Sequence, residues 1–301
     1  MKIPAPALAV SAMVSVQSGA ALSTHLFTAL TPAGSAWLRL TFAAVILMAL
    51  TRPAVRVIPR SALLGILALG AVTGLLTLMF IEAVARIPLG TAAAIEFLGP
   101  LSVAAIRSHR RAALLWPALA LAGVLGLTQP WTGHLNVAGA GFALASAGSW
   151  GAYVLLTQRV GAQLDGLQGL ALSLSTAALV TAPFGALAVI RGATPVIAAQ
   201  GLGLAVLVPL LPFTLEMLAL RRIPVAAFGT LMALEPAIAT MAGIVALSQR
   251  PSPLQGLGVV LVVAAGIGAQ RATPQPRIPG PGPGGPPPPR GCVTSLELSP
   301  A

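Results

Sequence analysis

Glu96 and Glu235 are carboxylates in the middle of long apolar runs, each within a few residues of a proline, Pro100 or Pro236. A carboxylate in that setting can hold an ammonium group or carry a proton. It is costly to put there, about 2.5–3.5 kcal/mol near the centre of a bilayer, so it is expected to face a bundle interior or a water-filled cavity. The prolines lack a backbone N–H and free carbonyls that protein or water must satisfy. The two settings repeat each other. Arg86-Ile87-Pro88 is followed by Pro100, and Arg222-Ile223-Pro224 by Pro236, with twelve positions between the prolines in each copy and 136 residues between copies. Matching Gly/Pro interruptions in corresponding segments of two halves point to a binding site of the kind found in membrane transporters. Glu96 and Glu235 are therefore expected to bind substrate or proton, with Pro100 and Pro236 as helix kinks. The alternative is a structural kink whose glutamate only satisfies freed backbone.

Other groups in the apolar runs are candidates for the same site. Arg39 is a cation in mid-span and needs an anionic partner, either Glu96 or a substrate carboxylate; a fixed structural ion pair is the competing reading. Glu216 follows Pro209 and Pro212 and precedes Arg221 and Arg222, so it reads equally as a site residue or as a helix-end anchor. Glu82 lies four residues before Arg86, and an i,i+4 ion pair near a membrane interface accounts for it. Gln17, Trp150, Tyr153 and Thr230 are polar or amphipathic side chains that could line a cavity. Nothing assembles into a catalytic pair: His25, His109 and His134 fall in different loops, and no two carboxylates sit at i,i+4 on one face. The single cysteine, Cys292, excludes a disulfide framework or a cysteine metal site. No enzyme activity, cofactor or metal is expected.

The elements that position these residues must be membrane helices. With 56% hydrophobic and 8% charged residues and a mean hydropathy of +0.92, too few charges exist to cover a soluble domain. Apolar runs of membrane-spanning length recur at about 6–25, 32–50, 61–83, 88–106, 112–128, 138–158, 166–189, 200–220, 224–247 and 253–270. The expected fold is an all-α integral membrane protein of ten transmembrane helices, built as two five-helix repeats over residues 1–130 and 131–270. Five is odd, so the second repeat enters the membrane inverted. Of the Lys and Arg residues, 13 then fall on the side of the N-terminus and three, Arg86, Arg191 and Arg250, on the other. The positive-inside bias sets both termini in the cytoplasm. The first apolar run also fits a signal peptide with a small-residue site near Ala20; its removal would leave nine helices and upset that parity. The net charge of +11 does not indicate nucleic acid, because the cations are spread among loops. His109 among Arg107, Arg110 and Arg111 reads as a contact to lipid headgroups. Residues 271–301 are rich in Pro and Gly and are expected to form a disordered cytoplasmic tail without a part in transport.

Several motifs together carry a family resemblance. Phe228-Gly229-Thr230-Leu231-Met232 through Leu234-Glu235-Pro236-Ala237, Pro88-Leu89-Gly90 through Glu96-Phe97 and Gly99-Pro100-Leu101, and Leu211-Pro212 with Leu215-Glu216-Met217 resemble the threonine/homoserine exporters. These belong to the EamA-type branch of the drug/metabolite transporter superfamily. Ser15 to Ala20 and Trp150 through Tyr153 to Arg159 fit the same pattern, and the resemblance covers about residues 5–270. It implies a ten-helix inner-membrane exporter of small amino acids driven by proton exchange, or a broader metabolite or drug exporter of the same architecture. The chain departs from the pattern at Ser248-Gln249, where many relatives carry Gly-Glu, and in its Pro-rich tail.

Overall fold

The computed structural model describes residues 4–53, 60–107, 114–132, 136–160, 166–220, 222 and 225–272. The tail from 273 onward, the His109 cluster, His134, Arg221 and the Ile223-Pro224 part of the second repeat motif lie outside the described residues. The regular elements described are all helical: α1 Ala5–Ser23, a 3-10 turn Thr24–Leu26, α2 Phe27–Thr51, α3 Arg60–Val84, α4 Leu89–Glu96, α5 Leu98–Arg107, α6 Leu115–Thr128, a 3-10 turn Pro130–Thr132, α7 Val137–Val160, α8 Gly166–Gly192, α9 Pro195–Ala205, a π-helical turn Val206–Leu210, α10 Leu211–Leu220, α11 Val225–Met232, α12 Glu235–Leu247 and α13 Pro253–Ala272.

Eight stretches are long and apolar enough to cross a membrane. The first, Ala5–Thr51, has 47 residues and at about 1.5 Å per residue would measure more than twice a hydrocarbon core of about 30 Å. It is not straight. The 3-10 turn bends it, and Thr31 leaves helical geometry with φ 61° and ψ 161°. The ring of Pro32 disfavours a helical residue before it and accounts for the extended ψ, while the positive φ is a strained conformation for a β-branched residue. An uninterrupted helix therefore starts at Pro32, where the sequence places its second span.

The expected fourth and ninth spans are each interrupted for one or two residues, among them Phe97 (φ −62°, ψ −18°) and Leu234 (φ −77°, ψ −9°), which keep right-handed helical dihedrals, and the proline explains where. Pro100 cannot donate to the carbonyl four residues back, that of Glu96, and Pro236 cannot donate to that of Met232. Helix α4 ends at Glu96 and α11 ends at Met232. The eighth span carries its irregularity at Pro209, inside the π-helical turn, where Ser15 Oγ donates to the carbonyl of Leu207 at 2.5 Å.

Solvation is inverted relative to a soluble domain. Large apolar side chains such as Val45, Leu50, Ile106, Leu179, Ile190 and Val245 are exposed, while Gln17, Arg39, Glu96, Ser146, Thr181 and Glu235 are buried. Small residues let the helices approach. Helix α2 packs most extensively along α8, α3 lies against α7 and α8, and α6 lies on α13 with the backbone of Gly123 against that of Gly258. Helix α1 packs on α10 and α12, and α4 on α12 and α7.

Candidate functional site

The two helix breaks meet. A side chain at Gly266 of α13 would collide with both Phe97, the residue between α4 and α5, and Ala233, the residue after α11, at 2.6–2.9 Å. The absence of a Cβ at Gly266 therefore lets both interruptions pack on the same spot. Glu96 is the last residue of α4 and Glu235 the first of α12, so each break presents one carboxylate. At the amino end of α12 the helix dipole favours a negative charge.

The neighbours of the two carboxylates differ. Ser146 Oγ of α7 donates to Glu96 Oε1 at 2.5 Å and reaches the carbonyl of Leu76 at 3.2 Å. Gln17 Nε2 of α1 donates to Glu235 Oε1 at 3.0 Å. Glu96, Glu235 and Arg39 are 7%, 7% and 5% exposed, and Gln17 is fully buried. Arg39 and Glu96 interact electrostatically, but among the described residues no ion pair within 4 Å joins them. Three atoms of the cluster are buried without a hydrogen-bond partner: Gln17 Oε1, Glu235 Oε2 and Arg39 Nη1. Buried polar atoms are normally satisfied, so three such atoms in one cluster are unusual.

Electrostatic contacts extend the cluster. Glu235 acts on Glu96, and Glu216 of α10 acts on both Glu235 and Tyr153 of α7, which also interacts with Thr157 one turn on. Glu216 is thus electrostatically linked to the cluster. Trp150 packs edge-on against Phe97, with ring centroids 6.3 Å apart and planes at 70°, so it braces the first break. Thr230 lies in α11, one turn before the second break. Glu82 is apart from all of this: it pairs with Arg86, whose guanidinium stacks 4.7 Å over the Phe142 ring.

Three groups have structural roles that sequence reasoning did not assign. Ser146 is a small hydroxyl within an apolar helix, with no local pattern to distinguish it from Ser149, the other serine of α7. Ser15 was legible only as part of a motif. Gln249 Oε1 accepts the backbone N–H of Leu89 at 3.2 Å and caps the start of α4, whose N-cap Pro88 offers no side-chain bond. This amide therefore links two halves of the chain.

Comparison with known proteins agrees with the helical geometry. Residues 137–268 match the model of the EamA-like transporter family. The threonine/homoserine exporter RhtA of Escherichia coli strain K12 is 36% identical over 262 residues, covering 86% of this chain and 88% of the relative. The protein of the same description from Salmonella typhimurium strain LT2 is 36% identical over 265 residues, with the same coverage. A crystal structure 21% identical in sequence superposes with a TM-score of 0.56 over 89% of this chain and 98% of the other, a likeness of fold alone.

Proposed function

The chain belongs to the EamA-like transporter family, and from that premise we propose that it exports small amino acids such as threonine and homoserine by alternating access. Outward movement of substrate is exchanged for protons, and the protein sits in the inner membrane with both termini in the cytoplasm. The observation that carries this reading is the pair of buried carboxylates at two facing helix breaks, with unsatisfied polar atoms around them. Such a cluster has no structural reason to stay polar in a bilayer unless it handles a polar or charged cargo. Glu235, Glu96, Arg39, Glu216, Gln17, Tyr153, Trp150 and Thr230 line the substrate or proton path in this proposal, and Pro100 and Pro236 set the breaks.

Ten spans follow if Ala5–Thr51 counts as two and the 14-residue α6 as one. The packing supports an inverted duplication. When each first-half helix is exchanged for its second-half counterpart, α3 on α7 becomes α1 on the α9–α10 segment, α4 on α7 becomes α1 on the α11–α12 segment, and α3 on α8 becomes α2 on α9; all of these are packed pairs. Helices α2 with α8, α4 with α12 and α6 with α13 pair across the exchange. In that plan the substrate sits between the halves and each half gates one side.

The test is growth of cells expressing the protein in inhibitory concentrations of external threonine or homoserine, beside a panel of other amino acids and drugs. Resistance confined to small amino acids supports the proposal. Resistance across chemically unrelated drugs, without protection against threonine or homoserine, overturns it in favour of a broad exporter.

A further inference from the structure

The polar cluster can be read atom by atom, and the result deepens the export proposal and rests on it. Gln17 spends its amide donor on Glu235 Oε1, which leaves Gln17 Oε1 and Glu235 Oε2 buried and unpartnered. With Glu235 ionised, the reverse orientation of the amide would set two acceptors against each other, so the charged carboxylate holds the amide nitrogen toward itself. Two acceptor oxygens on one hydrogen-bonded pair call for a donor with several protons and a positive charge. A primary ammonium has three.

The opposite demand arises on α2. Arg39 Nη1 is a buried donor without a partner, and the carboxylate that acts on it, Glu96, forms no ion pair with it and already holds Ser146 on Oε1. A guanidinium matches a carboxylate. Glu96 interacts electrostatically with both Arg39 and Glu235, so it stands between the two poles.

We propose that Gln17, Glu235 and Arg39 form a bipolar site for a zwitterion: the ammonium binds Gln17 Oε1 and Glu235 Oε2, and the carboxylate binds Arg39 Nη1. A cation lacking the carboxylate leaves Arg39 Nη1 unpaired, and an anion lacking the ammonium leaves the two acceptors unpaired. Sites built to hydrogen-bond a group reject analogues that lack it, because the buried partner is then stranded. This distinguishes the chain from an exporter of cationic drugs or of acidic metabolites. The side chains are sealed from solvent in this conformation, so the ligand enters when the halves part.

The experiment measures the rise in melting midpoint of the detergent-solubilised full-length protein with threonine, homoserine and alanine as zwitterions, threonine methyl ester as the cation, and N-acetylthreonine as the anion, in neutral to mildly alkaline buffer so that Glu235 keeps its charge, with the ester's affinity counted on its ammonium fraction. At least one zwitterion is expected to bind about 10–100-fold more tightly than either single-charge analogue. Arg39→Gln should abolish the preference over the methyl ester while keeping that over N-acetylthreonine, and Glu235→Gln should do the reverse. If Arg39→Gln does not fold, Arg39→Lys retains the positive charge, and the wild-type ratios stand as a test by themselves. Binding of either analogue within about twofold of its parent, no response to any zwitterion, or both variants changing both ratios alike would overturn the site. Zwitterion selectivity without export of threonine or homoserine from cells would leave the site standing and sink the export proposal; export with no discrimination against the ester would do the opposite.

Discussion

Replacing Gly99 by alanine separates packing from charge. Gly99 lies three residues after Glu96, and a Cβ there falls on the carbonyl oxygen of Ala147, with the carbonyl carbon at 2.8 Å and Cα at 3.2 Å. Those are backbone atoms and cannot rotate away, so α5 must move off α7. Ser146, next to Ala147, holds Glu96 at 2.5 Å, and a shift of about 0.7 Å would stretch that bond past the length of a charge-assisted one. Overpacking costs about 1–3 kcal/mol, and losing a hydrogen bond to a charged group about 1.5–3 kcal/mol. Gly99→Ala is therefore expected to lose about 2–4 kcal/mol and Ser146→Ala about 1.5–3 kcal/mol. Because the first substitution already breaks the bond that the second deletes, the double variant should cost less than the sum by about 1–2 kcal/mol. Unfolding of the solubilised protein gives the cycle, and uptake of labelled threonine into inverted vesicles should fall about tenfold in Gly99→Ala, although Glu96 is intact. Additive costs within about 0.5 kcal/mol, or wild-type uptake by Gly99→Ala, would refute the claim that this contact positions Glu96.

Three further outcomes are expected. At matched protein levels, gradient-driven uptake should drop at least tenfold in Glu235→Gln and Glu96→Gln, which remove the charge and keep the size, and stay within about twofold of wild type in Glu82→Gln, whose exposed pair with Arg86 contributes about 1 kcal/mol or less; wild-type rates in both mid-membrane variants would sink the carboxylate site. Ser248 ends α12 in the left-handed region at φ 53°, so Ser248→Gly should raise unfolding stability by about 0.5–1 kcal/mol, and a lower midpoint would contradict the strain argument. A reporter fused after Gln270 should be cytoplasmic and one within 129–136 periplasmic; the opposite pair of signals would remove the basis for an inverted duplication.

Rules that act within a few residues made part of this protein legible from its sequence. The excess of apolar residues over charges dictates a membrane solvent. Pro100 and Pro236 strand the carbonyls of Glu96 and Met232, and the helices end at those residues because a missing N–H is a local fact. The Glu82–Arg86 pair follows in the same way from one turn of helix. None of these rules says which faces meet. Gln17 and Glu235 are 218 positions apart, Ser146 and Glu96 are 50, and Leu89 and Gln249 are 160. These pairings exist because small residues such as Gly266, Gly99 and Gly123 allow particular backbones to approach, and the fit among helices is a property of their surfaces together. Sequence therefore marked Glu96 and Glu235 as chemically exceptional, while the assembled helices alone decided that one oxygen of each would accept a hydrogen bond from another helix and that Arg39 Nη1, Gln17 Oε1 and Glu235 Oε2 would be buried without a partner.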